Sequence, residues 1–313
     1  MQIKSIYTSP KGHYYKTTSD KKKIRIGETE FQLLKKNLKM SKIQNITQKK
    51  GLKPLFKWSG GKSSEIVLLK NHFPTNFETL VEPFVGGGSV FFHLEHKKNI
   101  ICDSHYEVFC FYDAVKKGEI KLIYQFMLDH SNDEKTFYWV RDKMPVLTPL
   151  DVAKRFFYLR KTCYRGMLRY NQSGKFNIPF GRYKKMDFTL LLNNKYEQLL
   201  KNTVIYNESF EFLFKKYNSE NNFFFVDPPY DCTFNNYNGS VFDREKHKLL
   251  FDNFVSTRNK CLIVLNKTCF TQNLYKDYIV EEYAKTYQFR LHSSRVNPDK
   301  LNKHLVICNY TPC

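Results

Sequence analysis

The chain has 313 residues, 42% of them hydrophobic and 16% aromatic, with 28 Phe and 21 Tyr. That excludes a wholly disordered chain or a long modular one and leaves one large domain, or a domain with an insertion. The formal net charge is +21, which points to nucleic acid, less often to an anionic membrane, against the plainer reading of solubility charge.

No run of about 18 apolar residues occurs, so no membrane span is expected. The opening MQIKSIYTSPKGHYYK lacks an apolar signal core, so the protein is expected inside the cell. The cysteines are Cys102, Cys110, Cys163, Cys232, Cys261, Cys269, Cys308 and Cys313. None forms a C-x-x-C pair, which suits free thiols in a reducing compartment. His93 and His96 have no second ligand pair at zinc spacing, so no metal is expected. The sequence names no protein partner.

Residues 1–50 hold 13 Lys/Arg against 3 Asp/Glu, including the cluster KKKIR at 21–25. They read as a basic, flexible arm with one short helix over 31–40. From Lys53 the texture changes to short apolar runs bounded by turns: ETLVEP, NIIC, TVIYN, FFFVDPP and CLIVLN. Runs apolar on both faces predict buried parallel strands, and helical spacing over 243–257 predicts a helix between two of them. Together they predict an open α/β sheet. Residues 106–193 show helical patterning with aromatic and basic residues, and read as a helical insertion. The catalytic part is then 51–105 with 194–313.

VEPFVGGGSVFF at 81–92 reads as strand, glycine turn and helix start. Gly86, Gly87 and Gly88 let backbone approach a ligand at the carboxyl end of a strand. Phe91 replaces the last glycine of G-x-G-x-x-G, which disfavours a pyrophosphate site. Glu82 suits a cationic or hydroxyl-bearing ligand instead. Asp103, ending the next strand, is placed to bond a ribose diol, so the pair suggests an adenosyl cofactor.

FFFVDPPYD at 223–231 carries the most information. Asp227 and Pro228 present oxygens beyond a buried strand, Pro228 and Pro229 fix the backbone, and Tyr230 offers a face for stacking. Two acceptors can hold the hydrogens of an exocyclic amine and draw its nitrogen toward tetrahedral geometry. The freed lone pair could then attack a sulfonium methyl.

At this point the chain resembles the Dam-type (D12 class) DNA adenine N6-methyltransferases. LFKWSGGK at 55–62 and LVEPFVGGGSVF look like the family's cofactor motifs, DPPY like its catalytic motif, and YRGMLRYNQSGKFNIPFGRYKK at 164–185 like its DNA-recognition segment. The resemblance implies a Rossmann-like S-adenosylmethionine-dependent methyltransferase sheet with an inserted helical recognition domain. Its partner would be double-stranded DNA, from which a target adenine is flipped. It assigns Trp58, Lys62, Asp103 and Asp227 to the cofactor, with Phe84, Gly86 and Gly88 shaping the pocket, and Asp227–Tyr230 to catalysis. It also assigns Arg169 and Lys57 to guanine, Tyr164 to a wedge, Met167 and Pro179 to apolar base contacts, and Asn171, Asn177 and Arg182 to phosphates. Retention of Lys57 and Arg169 implies GATC as target.

Three departures stand out. Arg165, beside the wedge, occupies a position where the family often has Asn. The basic arm has no counterpart in compact members, and SSRVNPDKLNKHLVICNY keeps the serine-rich loop and final strand only loosely. The rival readings are an N4-cytosine or RNA adenine methyltransferase, and a catalytically silent DNA-binding protein.

Overall fold

A computed structural model describes residues 3–8, 14–18, 23–31, 51–231, 242–285 and 302–312. It divides the chain into two units, Met1–Gly51 and Leu52–Cys313.

In the first unit, three antiparallel strands, β1 (Ile3–Thr8), β2 (Tyr14–Thr18) and β3 (Lys23–Ile26), form a sheet in sequential order. The sequence reading, a basic flexible arm with one short helix, named no strand here. β-Branched and aromatic residues recur there among the lysines, a signal that the charge obscured. Residues 28–31 are helical, and the rest of the helix expected over 31–40 lies outside the described residues. Ile26 and Phe31 are buried and the Tyr14 ring stacks 4.6 Å from Phe31, a small core for the unit.

The second unit is built on a seven-stranded sheet. Its strands are β4 (Thr79–Glu82), β5 (Asn99–Cys102), β6 (Thr203–Tyr206), β7 (Asn222–Val226), β8 (Lys260–Asn266), β9 (Ile279–Lys285) and β10 (Asn302–Cys308). Their order is β6-β5-β4-β7-β8-β10-β9. The first five are mutually parallel, and β10 runs antiparallel to both β8 and β9. Each apolar run of the sequence became a strand, and β4, β5 and β7 are covered on both sheet faces. Leu80, Ile101, Phe223 and Phe225 enter one core cluster, while Val81, Ile100, Phe224 and Val226 enter the other. Burying one such side chain contributes about 1.5–3 kcal/mol.

Chain order reverses at β4, which lies between β5 and β7, so the crevice beyond the carboxyl ends of these strands is the expected ligand site. Helix Arg244–Ser256, capped by the Asp243 side chain on Lys246 N–H at 2.9 Å, packs on one face. Helices Tyr106–Lys116, Ile120–Asp129, Glu134–Asp142 and Pro149–Thr162 share the core cluster of the other face. The last of these starts on TPLD, with a Thr148–Asp151 capping box and Pro149 at its first turn. The core therefore runs unbroken from the sheet into the helices of 106–193.

That stretch is not helical throughout. Bridges Cys163–Phe180 and Tyr170–Phe176 fold the recognition segment into an irregular antiparallel hairpin. Asn171 Oδ1 accepts from the Ser173 and Lys175 N–H groups at its tip, and Gly174 takes φ +70° there.

Candidate active site

The glycine turn leaves β4 with Gly86 at φ +46° and Gly88 at φ +67°, backbone that glycine adopts without strain. A Cβ at Gly86 would lie 2.3 Å from the Trp58 indole nitrogen, and one at Gly87 2.9 Å from Trp58 Cβ. These glycines thus admit Trp58, which lies across the turn. Asp103, half-buried at the end of β5, joins turn to loop: Oδ2 accepts from Gly86 N–H and Oδ1 from His105 N–H, both at 2.9 Å. Burial raises its carboxyl to about 6, against the pull of those two N–H groups.

Glu82 ends β4, 2% exposed, and its Oε1 has no hydrogen-bond partner among the described residues. Burial lifts its carboxyl well above the ordinary range, the nearby Asp227 adds to that, and a backbone hydrogen bond from Phe91 opposes it. Phe84 sits against the Phe210 and Phe242 rings at 5.5 and 5.6 Å.

At the tip of β7, Lys62 Nζ donates to Asp227 Oδ1 at 2.5 Å, to the Tyr230 hydroxyl at 2.8 Å and to the Gly60 carbonyl at 2.8 Å. All three ammonium hydrogens are engaged on a side chain only 1% exposed. Burial raises the Asp227 carboxyl, and Lys62 opposes that rise. Pro228 is buried, and Pro229 and Tyr230 are half-buried. The resemblance assigned Lys62 to the cofactor; its hydrogen bonds among the described residues run to Asp227, Tyr230 and Gly60.

The recognition candidates gather on the hairpin and beside it. Arg169, exposed, donates from Nε to Asn177 Oδ1 at 2.8 Å across the hairpin. Lys57, also exposed, passes Gly166 so closely that a Cβ there would lie 3.4 Å from Lys57 Cδ. Tyr164 is 41% exposed, with the Arg165 guanidinium 5.3 Å from its ring. Arg165 holds φ 55°, a left-handed backbone that Asn accepts more readily than Arg. Met167 is half-buried, while Pro179 and Arg182 are exposed, the latter 3.6 Å from Glu134. Asn171 commits its side-chain oxygen to the hairpin turn, a structural duty that the resemblance did not suggest.

Sequence reading missed two buried polar groups at this site. Arg160, 2% exposed, donates to the Lys57 carbonyl and lies 5.6 Å from the Trp58 ring. It thus sits beneath adjacent residues that the resemblance assigned to DNA and to cofactor. Tyr170 bonds Glu107 and, at 3.0 Å, His105 Nε2, tying hairpin to cofactor loop. The second group, Glu65, Tyr283, Lys285 and His304, lies behind Tyr230. His304 and Glu65 are 239 positions apart, and no local pattern marks them. Among the described residues no cluster suits a metal ion, and no helix is long and apolar enough to cross a membrane.

Comparison with known proteins identifies the family. The family model for D12 class N6 adenine-specific DNA methyltransferase matches residues 58–289. The chain is 46% identical over 261 residues to Type II methyltransferase M.CviBI of Paramecium bursaria Chlorella virus NC1A, covering 83% of this chain and 100% of that one. To Type II methyltransferase M.MjaIII of Methanocaldococcus jannaschii it is 35% identical over 201 residues, 57% of this chain and 69% of the relative. To the DNA adenine methylase of Salmonella typhi it is 30% identical over 232 residues, 70% and 83%. The matched segment runs through the glycine turn, the hairpin and the DPPY tip. The chain belongs to the D12 class of N6 adenine-specific DNA methyltransferases, and it transfers a methyl group from S-adenosylmethionine to adenine N6 at specific sites in DNA.

Proposed function

We infer that the crevice beyond β4, β5 and β7 holds the methyl donor, that Asp227–Tyr230 clamps the flipped adenine, and that the target is GATC. The convergence of Lys62, Asp227 and Tyr230 beside the glycine turn carries this reading.

The residues fit the donor. Glu82 Oε1 is buried with no partner among the described residues, and a carboxyl there suits a cationic ligand. Asp103 retains lone pairs for a ribose diol beyond the two it gives to backbone N–H groups. When bound, the donor supplies an electrophilic methyl on a sulfonium. Trp58 and Phe84 wall the pocket, and Gly86 and Gly88 give it its shape.

Asp227 and the Pro228 carbonyl accept the hydrogens of the adenine amine, returning its delocalised lone pair to nitrogen. Lys62 takes Asp227 Oδ1 and leaves Oδ2 for the amine. Tyr230 stacks on the extruded base and offsets part of the cost of flipping, a few kcal/mol. Pro229 stiffens the loop, so little order remains to be gained when the base arrives.

On the DNA side, Arg169 and Lys57 read guanine, Tyr164 wedges into the stack and Met167 and Pro179 touch bases. Asn171, Asn177, Arg165 and Arg182 lie along the backbone. The proximity of Lys57 to Gly166 supports a single reading surface.

Mapping methylated bases on random-sequence duplex with labelled donor tests the target, and GATC is the consensus expected. Any other consensus, interrupted sites included, overturns the target while adenine methylation stands. Asp227→Ala should abolish transfer while DNA binding persists; normal methylation by that variant refutes the clamp. Arg169→Ala should lose about 1–3 kcal/mol of discrimination at a guanine, and an unchanged preference removes it from base reading.

A further inference from the structure

Among the described residues, two contacts hold Tyr230. Its hydroxyl accepts from Lys62 Nζ at 2.8 Å, and its ring meets the His304 imidazole edge-to-face at 5.2 Å and 81°. His304 is fully buried on β10, opposite Asn266 of β8 and Tyr283 of β9. On its other side it packs against the Tyr283 ring at 5.4 Å. Its Nδ1 lies 3.2 Å from Glu65 Oε2 and 3.3 Å from the Tyr283 hydroxyl.

Glu65 is the fixed point of this group. It precedes helix Ile66–Leu69, one turn after Lys62, and is 6% exposed. Its two oxygens also accept from the Tyr283 hydroxyl and the Lys285 ammonium. Burial opposes its ionisation, yet the bonds from His304, Lys285 and Tyr283 and the charge of Lys62 bring its carboxyl down to about 2. An ionised carboxylate with both oxygens engaged is directionally fixed, and so is an imidazole bonded to it. The bonds to both carboxylate oxygens therefore fix the orientation of the group as well as stabilising its ionised form.

We propose that His304, anchored by Glu65, is a positioning residue for Tyr230, its imidazole setting the plane on which the flipped adenine stacks. This rests on the stacking role of Tyr230 given above. His304 itself touches neither base nor donor. It acts through the tyrosine ring, and Lys62 on the hydroxyl supplies the second constraint.

The test is a double-mutant cycle read by single-turnover methylation and by 2-aminopurine fluorescence at the target base, on the full chain with duplex DNA and donor. The strength of one edge-to-face ring pair sets the expected loss for His304→Ala at about two- to tenfold in rate. A smaller flipping signal should accompany it, with donor affinity and total DNA binding unchanged. In a Tyr230→Ala background, His304→Ala should cost nothing further. An undiminished second loss places His304 elsewhere and overturns the proposal.

His304→Phe keeps the buried ring and guards against a folding failure. Its rate should fall between wild type and His304→Ala, and a wild-type rate overturns the anchoring by Glu65. Tyr230→Ala alone with full activity would remove the stacking reading itself, a separate failure.

Discussion

Glu65 makes acid stability a direct reading of the group behind the catalytic loop. Relative to an ordinary 4.5, its carboxyl in the folded chain lies at about 2; burial works against that fall and the bonds from His304, Lys285 and Tyr283 outweigh it. At about 1.4 kcal/mol per pH unit, the difference is worth about 3 kcal/mol, a ceiling because water at the pocket edge screens the charges. The folded-state value is depressed, so this stability is fully present above pH 4.5 and is lost as the pH falls through 2. By pH 3 roughly 2 kcal/mol of it should be gone. Urea unfolding of wild type and Glu65→Gln from pH 7 down to pH 3 measures this. The gap between the two proteins should narrow by about 2 kcal/mol. A gap that stays constant over that range would refute the reasoning, because it would assign the loss to packing alone.

Three further outcomes are expected. Burial places the Asp103 carboxyl at about 6, so donor affinity should weaken about tenfold per pH unit below that value. Calorimetry between pH 5 and pH 7.5 reads it, with Asp103→Asn giving a flat profile; a flat wild-type profile contradicts the role. The left-handed backbone at Arg165 should make Arg165→Asn more stable by about 0.5–1 kcal/mol in thermal melts, and a loss of stability would show the arginine to be well accommodated. Neutralising Lys21, Lys22, Lys23 and Arg25 together should flatten the salt dependence of DNA binding by about 0.9 in log–log slope for each phosphate no longer neutralised. An unchanged slope would show those charges to stay off the DNA.

The parallel strands were legible because FFFV, LIV and their counterparts are apolar on both faces, a texture that only a doubly covered sheet requires. β9 was not, since it alternates half-buried and exposed residues and carries Glu281, Glu282 and Lys285. β10 was expected only through the resemblance, as a loosely kept final strand, and its buried Leu305, Val306 and Ile307 form the apolar run that carries it. At the site, the glycine turn, Asp103 and DPPY announced themselves by residue type and position. The engagement of Lys62 with Asp227 could not be read, because it joins segments 165 residues apart. Arg160 also escaped, since a cation in a helix of charged and apolar residues looks solvated until its surroundings are known.

A continuous core lies beneath the sheet and the helices of 106–193, and on the proposed reading of DNA this bears on which partner yields on contact. Tyr170 is bonded to His105, and Arg160 is braced against Lys57 and Trp58, so the hairpin proposed to read DNA is fixed to the loop after β5. Deformation then falls on the double helix, and its stiffness enters the rate. A target flanked by easily kinked pyrimidine–purine steps should be modified sooner than the same target set in a rigid A-tract.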